Sequence, residues 1–228
     1  MNSSLPPHSE PHPERALALT YAAPSARAGL AALFALDDAL AQLLRTTREP
    51  AVGQLRLAWW RESLEKLDHA PAPAEPVLRA IEAEVLPCGI RGAQIVPIVH
   101  GWEVLVEEST LEAAALARFG AGRGTLFELG GVMLGARAAD PLADAGAGWA
   151  LGDLARHLGE PGEAAIARDL AAERLTRATR RRWSGRTRAL GAMAHLARMD
   201  LAIAADAPIP TGAPGRVGRM LWHRLTGR

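Results

Sequence analysis

Proline stands at the head of one Ala- and Leu-rich segment after another, and that punctuation constrains the fold more than any other feature. Pro13, Pro24, Pro50, Pro141 and Pro161 each precede a run of apolar residues at helical spacing. Proline is tolerated in the first helical turn, where its missing N–H has no intrahelical acceptor to lose. The first helix is expected near Pro13-Glu14-Arg15, the second from Pro24 to about Thr47, the third from Pro50 through Lys66. Pro71 to Pro76 breaks the chain into a loop, a short helix covers Val77 to Val85, and Pro87-Cys88-Gly89 ends it. Ile90 to Glu108 reads as a helix that Pro97 should kink or restart. Ser109-Thr110-Leu111-Glu112 reads as a cap before a helix ending at Leu134, with weak points at Gly120, Gly122 and Gly124. Helices follow from Asp140-Pro141, from Pro161 to the basic run Arg180-Arg181-Arg182, and from Ser184 to Ala205, with a short basic helix at the end.

Alanine and leucine dominate the apolar residues, whereas Val, Ile, Tyr and Phe, which suit strands, are sparse. About ten helices with short connections predict an all-α, single-domain bundle for this 228-residue chain. The expected organisation is a disordered tail over 1–13, a helical domain over 14–206, and a Pro/Gly loop with a basic amphipathic helix over 207–228. Residues 1–13 have neither the basic and apolar regions of a secretory signal nor the arginines of a transit peptide. No apolar stretch has the roughly 18–20 residues of a spanning helix, which with the lone Cys88 predicts a cytoplasmic protein. A net charge of +1 gives no field that would steer the chain to nucleic acid.

The segment Leu30 to Asp68 is the most specific. Ala31-Ala32-Leu33-Phe34-Ala35-Leu36 leads into Asp37-Asp38, then Arg48-Glu49-Pro50, Gly53-Gln54-Leu55-Arg56-Leu57 and Ala58-Trp59-Trp60-Arg61-Glu62. It resembles the N-terminal region of the squalene/phytoene synthase family, above all the divergent branch that includes the mitochondrial complex I assembly factor. Arg123 to Gly131 is similar to the family's central small-residue helix, and Gly148 to Arg156 to the helix bearing its second acidic motif. The resemblance implies an isoprenoid-synthase-type bundle in which the segments holding Asp37 and Asp153 run side by side in the interior.

Active members of that family bind Mg²⁺ through acids on two facing helices, and Mg²⁺ assists departure of diphosphate from a prenyl substrate. This chain departs from the pattern. Aligned on the downstream motifs, the first three acid positions hold Ala41, Gln42 and Arg45, and the second motif's acids fall on His157 and Pro161. The one literal Asp-x-x-x-Asp, Asp140 to Asp144, contains Pro141 and reads as a helix cap. The family's central tyrosine is missing, and Tyr21 is the only tyrosine.

The remaining catalytic candidates are therefore weak. Asp37 and Asp38 suit a central cavity or a solvated face; Asp153 and His157, one helical turn apart, suit a weak metal site or a surface ion pair. Trp59, Trp60, Arg61, Glu62, Glu128 and Trp149 are candidates to line a cavity or bind substrate, with core packing as the alternative for the tryptophans. No metal site is assigned, and Mg²⁺ is expected only if the chain is an enzyme. The functional expectation is an assembly or scaffold factor without prenyltransferase activity, its partner a membrane-complex protein. The alternatives are a prenyl-diphosphate transferase with a rearranged metal site and a binder of a long apolar lipid. In the tail, Val217, Met220, Leu221 and Leu225 read as one apolar side with Trp222 beside it, flanked by Arg216, Arg219, His223 and Arg228. Such a helix can lie on an anionic membrane surface, peripheral to the inner membrane, or dock on the core.

Overall fold

The computed structural model describes residues 13–47 and 49–228. The tail expected over 1–13 lies, but for Pro13, outside the described residues, as does Arg48 of the Arg-Glu-Pro turn. Ten α-helices and one short 3₁₀ turn, Leu86–Cys88, make up the described fold, with no strand. They are α1 (Pro13–Leu19), α2 (Pro24–Thr46), α3 (Pro50–Lys66), α4 (Pro76–Glu84), α5 (Gly92–Glu107), α6 (Ala113–Leu134), α7 (Leu142–Leu154), α8 (Pro161–Arg180), α9 (Arg188–Asp200) and α10 (Pro214–Thr226). Proline occupies the first turn of α2, α3, α4, α8 and α10.

α6 is the central element, packed between α5 on one side and α7 on the other. Glycines make both crossings close. A methyl group on Gly122 would stand 2.7 Å from the Cα of Gly101 on α5, and one on Gly124 would stand 2.7 Å from the backbone nitrogen of Ala147 on α7. The glycines expected to weaken this helix are thus what lets its neighbours approach. The cost of glycine, about 1 kcal/mol each relative to alanine in a helix interior, is offset by backbone-to-backbone packing. α5 runs through Pro97 without restarting.

Three local expectations differ from the structure, each because a distant partner outcompetes a local one. Ser109 and Thr110 cap nothing. The N-cap of α6 is Glu112, without a side-chain bond, and the Leu111 N–H is taken by Glu163 of α8 at 2.7 Å. Asp140 does not cap α7; it accepts from the Arg137 N–H at 2.9 Å and from the N–H and Oγ of Ser184 at 2.7 and 2.8 Å. Ser184 lies outside the helix, and α9 begins at Arg188 rather than Ser184. Asp144, in the first turn of α7, pairs with Arg174 and Arg177 of α8.

α10 is fastened to the bundle. Arg216 is buried and bonds Glu14 of α1 at 2.7 and 2.8 Å and Asp200 at the end of α9 at 2.5 Å. Met220 is buried with Ala18, Ala192 and Leu196. The tail's apolar residues do not share one side, as their spacing suggested: Met220 faces the bundle, while Leu221, Trp222 and Leu225 are 45 %, 56 % and 75 % exposed. Two buried histidines complete the interface, His195 of α9 and His223 of α10, with ring centroids 4.7 Å apart. Arg219 donates to His195, and both ring nitrogens of His223 lack a partner among the described residues.

Burial, then the fields of neighbouring cations, push His195 down to about 3 and His223 down to about 4. Arg219 and Arg198 face His195, and Arg219 and Arg188 face His223. Both rings are therefore neutral in the fold, whereas in the unfolded chain they protonate near 6.5. Below that pH the unfolded state binds more protons, so stability is full above about 6.5 and falls as the pH drops toward the folded-state values. The urea midpoint should decline between pH 7 and pH 4, and His223→Leu should flatten that decline. An unchanged slope in the variant would remove His223 as a cause.

Candidate functional site

The site is built around one residue, Arg123, which the crossings of α6 place in the centre of the bundle. Its guanidinium, 5 % exposed, makes a two-pronged bond to Asp37 of α2: Nε to Oδ1 at 2.8 Å and Nη2 to Oδ2 at 2.7 Å. Nη1 reaches Asp153 of α7 at 2.6 Å and, more weakly, the carbonyl of Ala150 at 3.4 Å. Trp102 of α5 donates its indole N–H to Asp37 Oδ1 at 3.0 Å. Four helices thus converge on one ion triad. The planar cation also lies against aromatic rings, 4.7 Å from the centroid of Trp102 and 4.4 Å from that of Trp149. Trp149 in turn packs on Phe34 and Phe127, with centroids 5.9 and 5.4 Å away.

Burying a guanidinium is costly unless its donors are met and its charge is paired. Both conditions hold. Desolvation favours deprotonation of Arg123, but the fields of Asp37 and Asp153 and their hydrogen bonds win and raise its pKa further. Asp153 sits at the rim: packing around its carboxyl is dense, yet 42 % of the side chain meets solvent, and that exposure makes it the triad's outer member. Desolvation raises its pKa; the charge and hydrogen bond of Arg123 lower it more, with smaller help from His157 and Arg45. The carboxyl is held below its usual range.

The candidates separate on this framework. Asp37, Asp153 and Trp149 belong to the triad and its aromatic shell. The segments holding Asp37 and Asp153 do not run side by side as expected; α2 and α7 each pack on α6, and Arg123 and the Phe34–Trp149 edge contact bridge them. Asp38 points elsewhere and pairs with Arg15 of α1 at 2.5 Å. His157 is not the partner of the Asp153 carboxylate: its Nδ1 bonds the Asp153 carbonyl at 2.8 Å, and the carboxylate oxygen lies 3.9 Å off. Arg123 is the stronger competitor for that acid because its charge is permanent. Trp60 is buried, while Trp59 is 45 % exposed on the outer stripe of α3 with Val52 and Leu55. Arg61 pairs with Glu103 at 3.1 Å, and Glu62 with Lys66 at 3.7 Å on the surface. Glu128 is exposed and lines a small cleft of about 90 Å³ between α6, α7 and α8.

A Mg²⁺ ion does not fit these residues. It needs several free oxygen ligands. Both oxygens of Asp37 are engaged by Arg123 and Trp102, and a fixed cation stands between the two acids. Ala41, Gln42 and Arg45 supply no carboxylate nearby; Gln42 accepts from Arg45. Among the described residues, no group of three or more His, Cys, Asp or Glu side chains is placed to hold a metal. Arg123 and Trp102 were not singled out from sequence. The available signal was an arginine set between Gly122 and Gly124, where the small neighbours admit close packing and a solvated side chain is out of keeping.

No family model, curated protein or solved structure matches this chain. The resemblance to squalene/phytoene synthases rests on the sequence motifs alone.

Removing Arg123 leaves Asp37 charged and buried. Arg123→Met should cost about 3–5 kcal/mol in urea unfolding. Adding Asp37→Asn should recover much of that, because the amide oxygen still accepts from Trp102 and no buried charge remains. A cost below about 1 kcal/mol for the single variant would show the triad to be energetically idle.

Proposed function

We propose that this chain is a non-catalytic scaffold of squalene/phytoene synthase-like type, an assembly factor for a membrane complex of respiration. The observation that carries the reading is the Arg123 guanidinium, held between Asp37 and Asp153, each one helical turn before the first acid position the resemblance assigns, Ala41 and His157. A prenyl-diphosphate transferase needs divalent cations at that place. Here the counter-charge is built into the chain, and the rings of Trp102, Trp149 and Phe119 pack around it. The conversion leaves the bundle intact and removes the chemistry.

Scaffolding requires surface, and two apolar faces support that role. One is the stripe of Val52, Leu55 and Trp59 on α3; the other is Leu221, Trp222 and Leu225 on α10. The second carries Arg224 and Arg228 on the same helix end and suits shallow contact with an anionic bilayer, at roughly 25 cal/mol per Å² of apolar surface buried. No helix of the described chain is long and apolar enough to cross a membrane. Respiratory complex I is the concrete partner the resemblance offers.

Two measurements test the reading. Purified protein with Mg²⁺ and farnesyl or geranylgeranyl diphosphate should form no squalene- or phytoene-type product. Product that disappears in Asp37→Ala would replace the scaffold with an enzyme. In co-sedimentation with anionic vesicles, the protein should bind reversibly and lose binding as salt rises, since screening weakens the arginine contribution. Trp222→Glu with Leu225→Glu, both on the exposed face, should reduce sedimentation several-fold without altering helicity. Equal sedimentation of the variant would assign the α10 face to something other than lipid.

A further inference from the structure

None of the triad's residues lines a second cavity, away from the centre of the bundle. This cavity, of about 330 Å³, opens between the α6–α7 turn, the segment joining α8 to α9, and the first turn of α9. Arg137, Arg182 and Arg188 line it, together with Asp140, Ser184 and Gly185. The surrounding sequence is strongly basic: residues 180–188 hold five arginines and no acid, and residues 221–228 add two more. In a chain whose net charge is only +1, that is a local concentration of charge.

The one acid in the cavity does not neutralise it. Asp140 accepts from the Arg137 N–H and from the N–H and Oγ of Ser184 and makes no ion pair with a guanidinium. Burial would raise its pKa, but these hydrogen bonds prevail and keep it ionised. The guanidiniums retain free donors. Arg182 gives Nε to the Thr226 carbonyl at 3.1 Å, and Arg188 gives Nη1 to the Arg224 carbonyl, so the last turn of α10 holds both side chains in place. The Nε of Arg188 is buried without an acceptor, and the Arg137 side chain has no hydrogen-bonded partner among the described residues. The positive end of the 13-residue α9 adds to the same field.

We propose that this cavity binds a phosphate group, as inorganic phosphate or as a phosphomonoester. Three guanidiniums and one carboxylate leave a local charge of two, which a phosphate dianion balances. The planar fork of arginine matches phosphate oxygens in pairs. The volume admits phosphate with a small ester substituent, at the lower end of small-molecule sites. A phosphate could come from solution or from a lipid headgroup. The second source is compatible with α10, which fixes Arg182 and Arg188 and exposes Leu221, Trp222 and Leu225.

The test uses the full chain. Calorimetric titration with inorganic phosphate at low ionic strength should give saturable one-site binding. Arg137→Gln should weaken it at least about tenfold, the loss of one charge-assisted bond, with helicity and unfolding midpoint unchanged. Arg181→Gln removes the same charge outside the cavity and should change affinity by less than about twofold. A second arm compares vesicles containing phosphatidate with vesicles containing the same fraction of phosphatidylserine. A preference for phosphatidate that Arg137→Gln abolishes supports the site with a lipid source; saturable phosphate binding without that preference supports it with a soluble source. Absence of both saturable phosphate binding and phosphatidate preference overturns the proposal. Equal weakening by Arg137→Gln and Arg181→Gln overturns it as well, because binding would then follow overall charge.

Discussion

The ion triad of Asp37, Arg123 and Asp153 is the constraint around which the bundle is arranged. A buried cation must be met by acids at fixed distances, so α2, α6 and α7 have little freedom in how they rotate about their axes. Trp102 extends the restriction to α5 by donating to the same carboxylate. Apolar packing alone tolerates sliding and repacking. A two-pronged arginine–carboxylate bond does not, since a shift of an ångström or two breaks it. Replacing such groups by apolar residues often costs no stability. The contribution of the triad is thus to the register of the helices more than to the total free energy.

A second buried arginine repeats the device at the edge of the bundle. Arg216 links Glu14 and Asp200, and so α1 and α9, to α10. Burial and the arginine act in opposite directions on both acids, with different results. Glu14, which takes two arginine bonds and the Gly212 N–H, ends below its ordinary pKa; Asp200, more deeply desolvated with a single bond, ends above it. The outer clasp is therefore weaker on its Asp200 side, whereas in the inner triad Arg123 holds the Asp153 carboxyl below its ordinary range.

Sequence periodicity made the helices legible because their causes are local. The prolines of α2, α3 and α8 mark their starts, the apolar spacing marks the runs, and the scarcity of strand formers marks the class. The buried network was not legible because its causes are distant. Arg123 finds Asp37 across 86 residues and Asp153 across 30. Patterns confined to one helix, such as Asp153 with His157, offer a weaker local partner in place of the true one. Asp140 and Leu111 show the same thing in backbone: each was assigned to a cap and is instead bound to a segment 44 or 52 residues away. The glycines of α6 were visible but ambiguous. A glycine reads as a weak helix until the neighbour it admits is known.

The same topology separates short closures from long ones. The tightest packing joins consecutive helices, α5 with α6, α6 with α7 and α7 with α8, so the loops that must close to form this core are short. Joining Glu14 to Arg216 instead closes a loop of 202 residues. Contacts between α5 and α8 close short loops at small entropic cost, whereas the clasp between the two ends must close a long one. An exposed apolar face thus sits on a helix joined to the bundle mainly through α9 and the Arg216 clasp, so a partner that grips α10 would act on contacts separate from those of the centre.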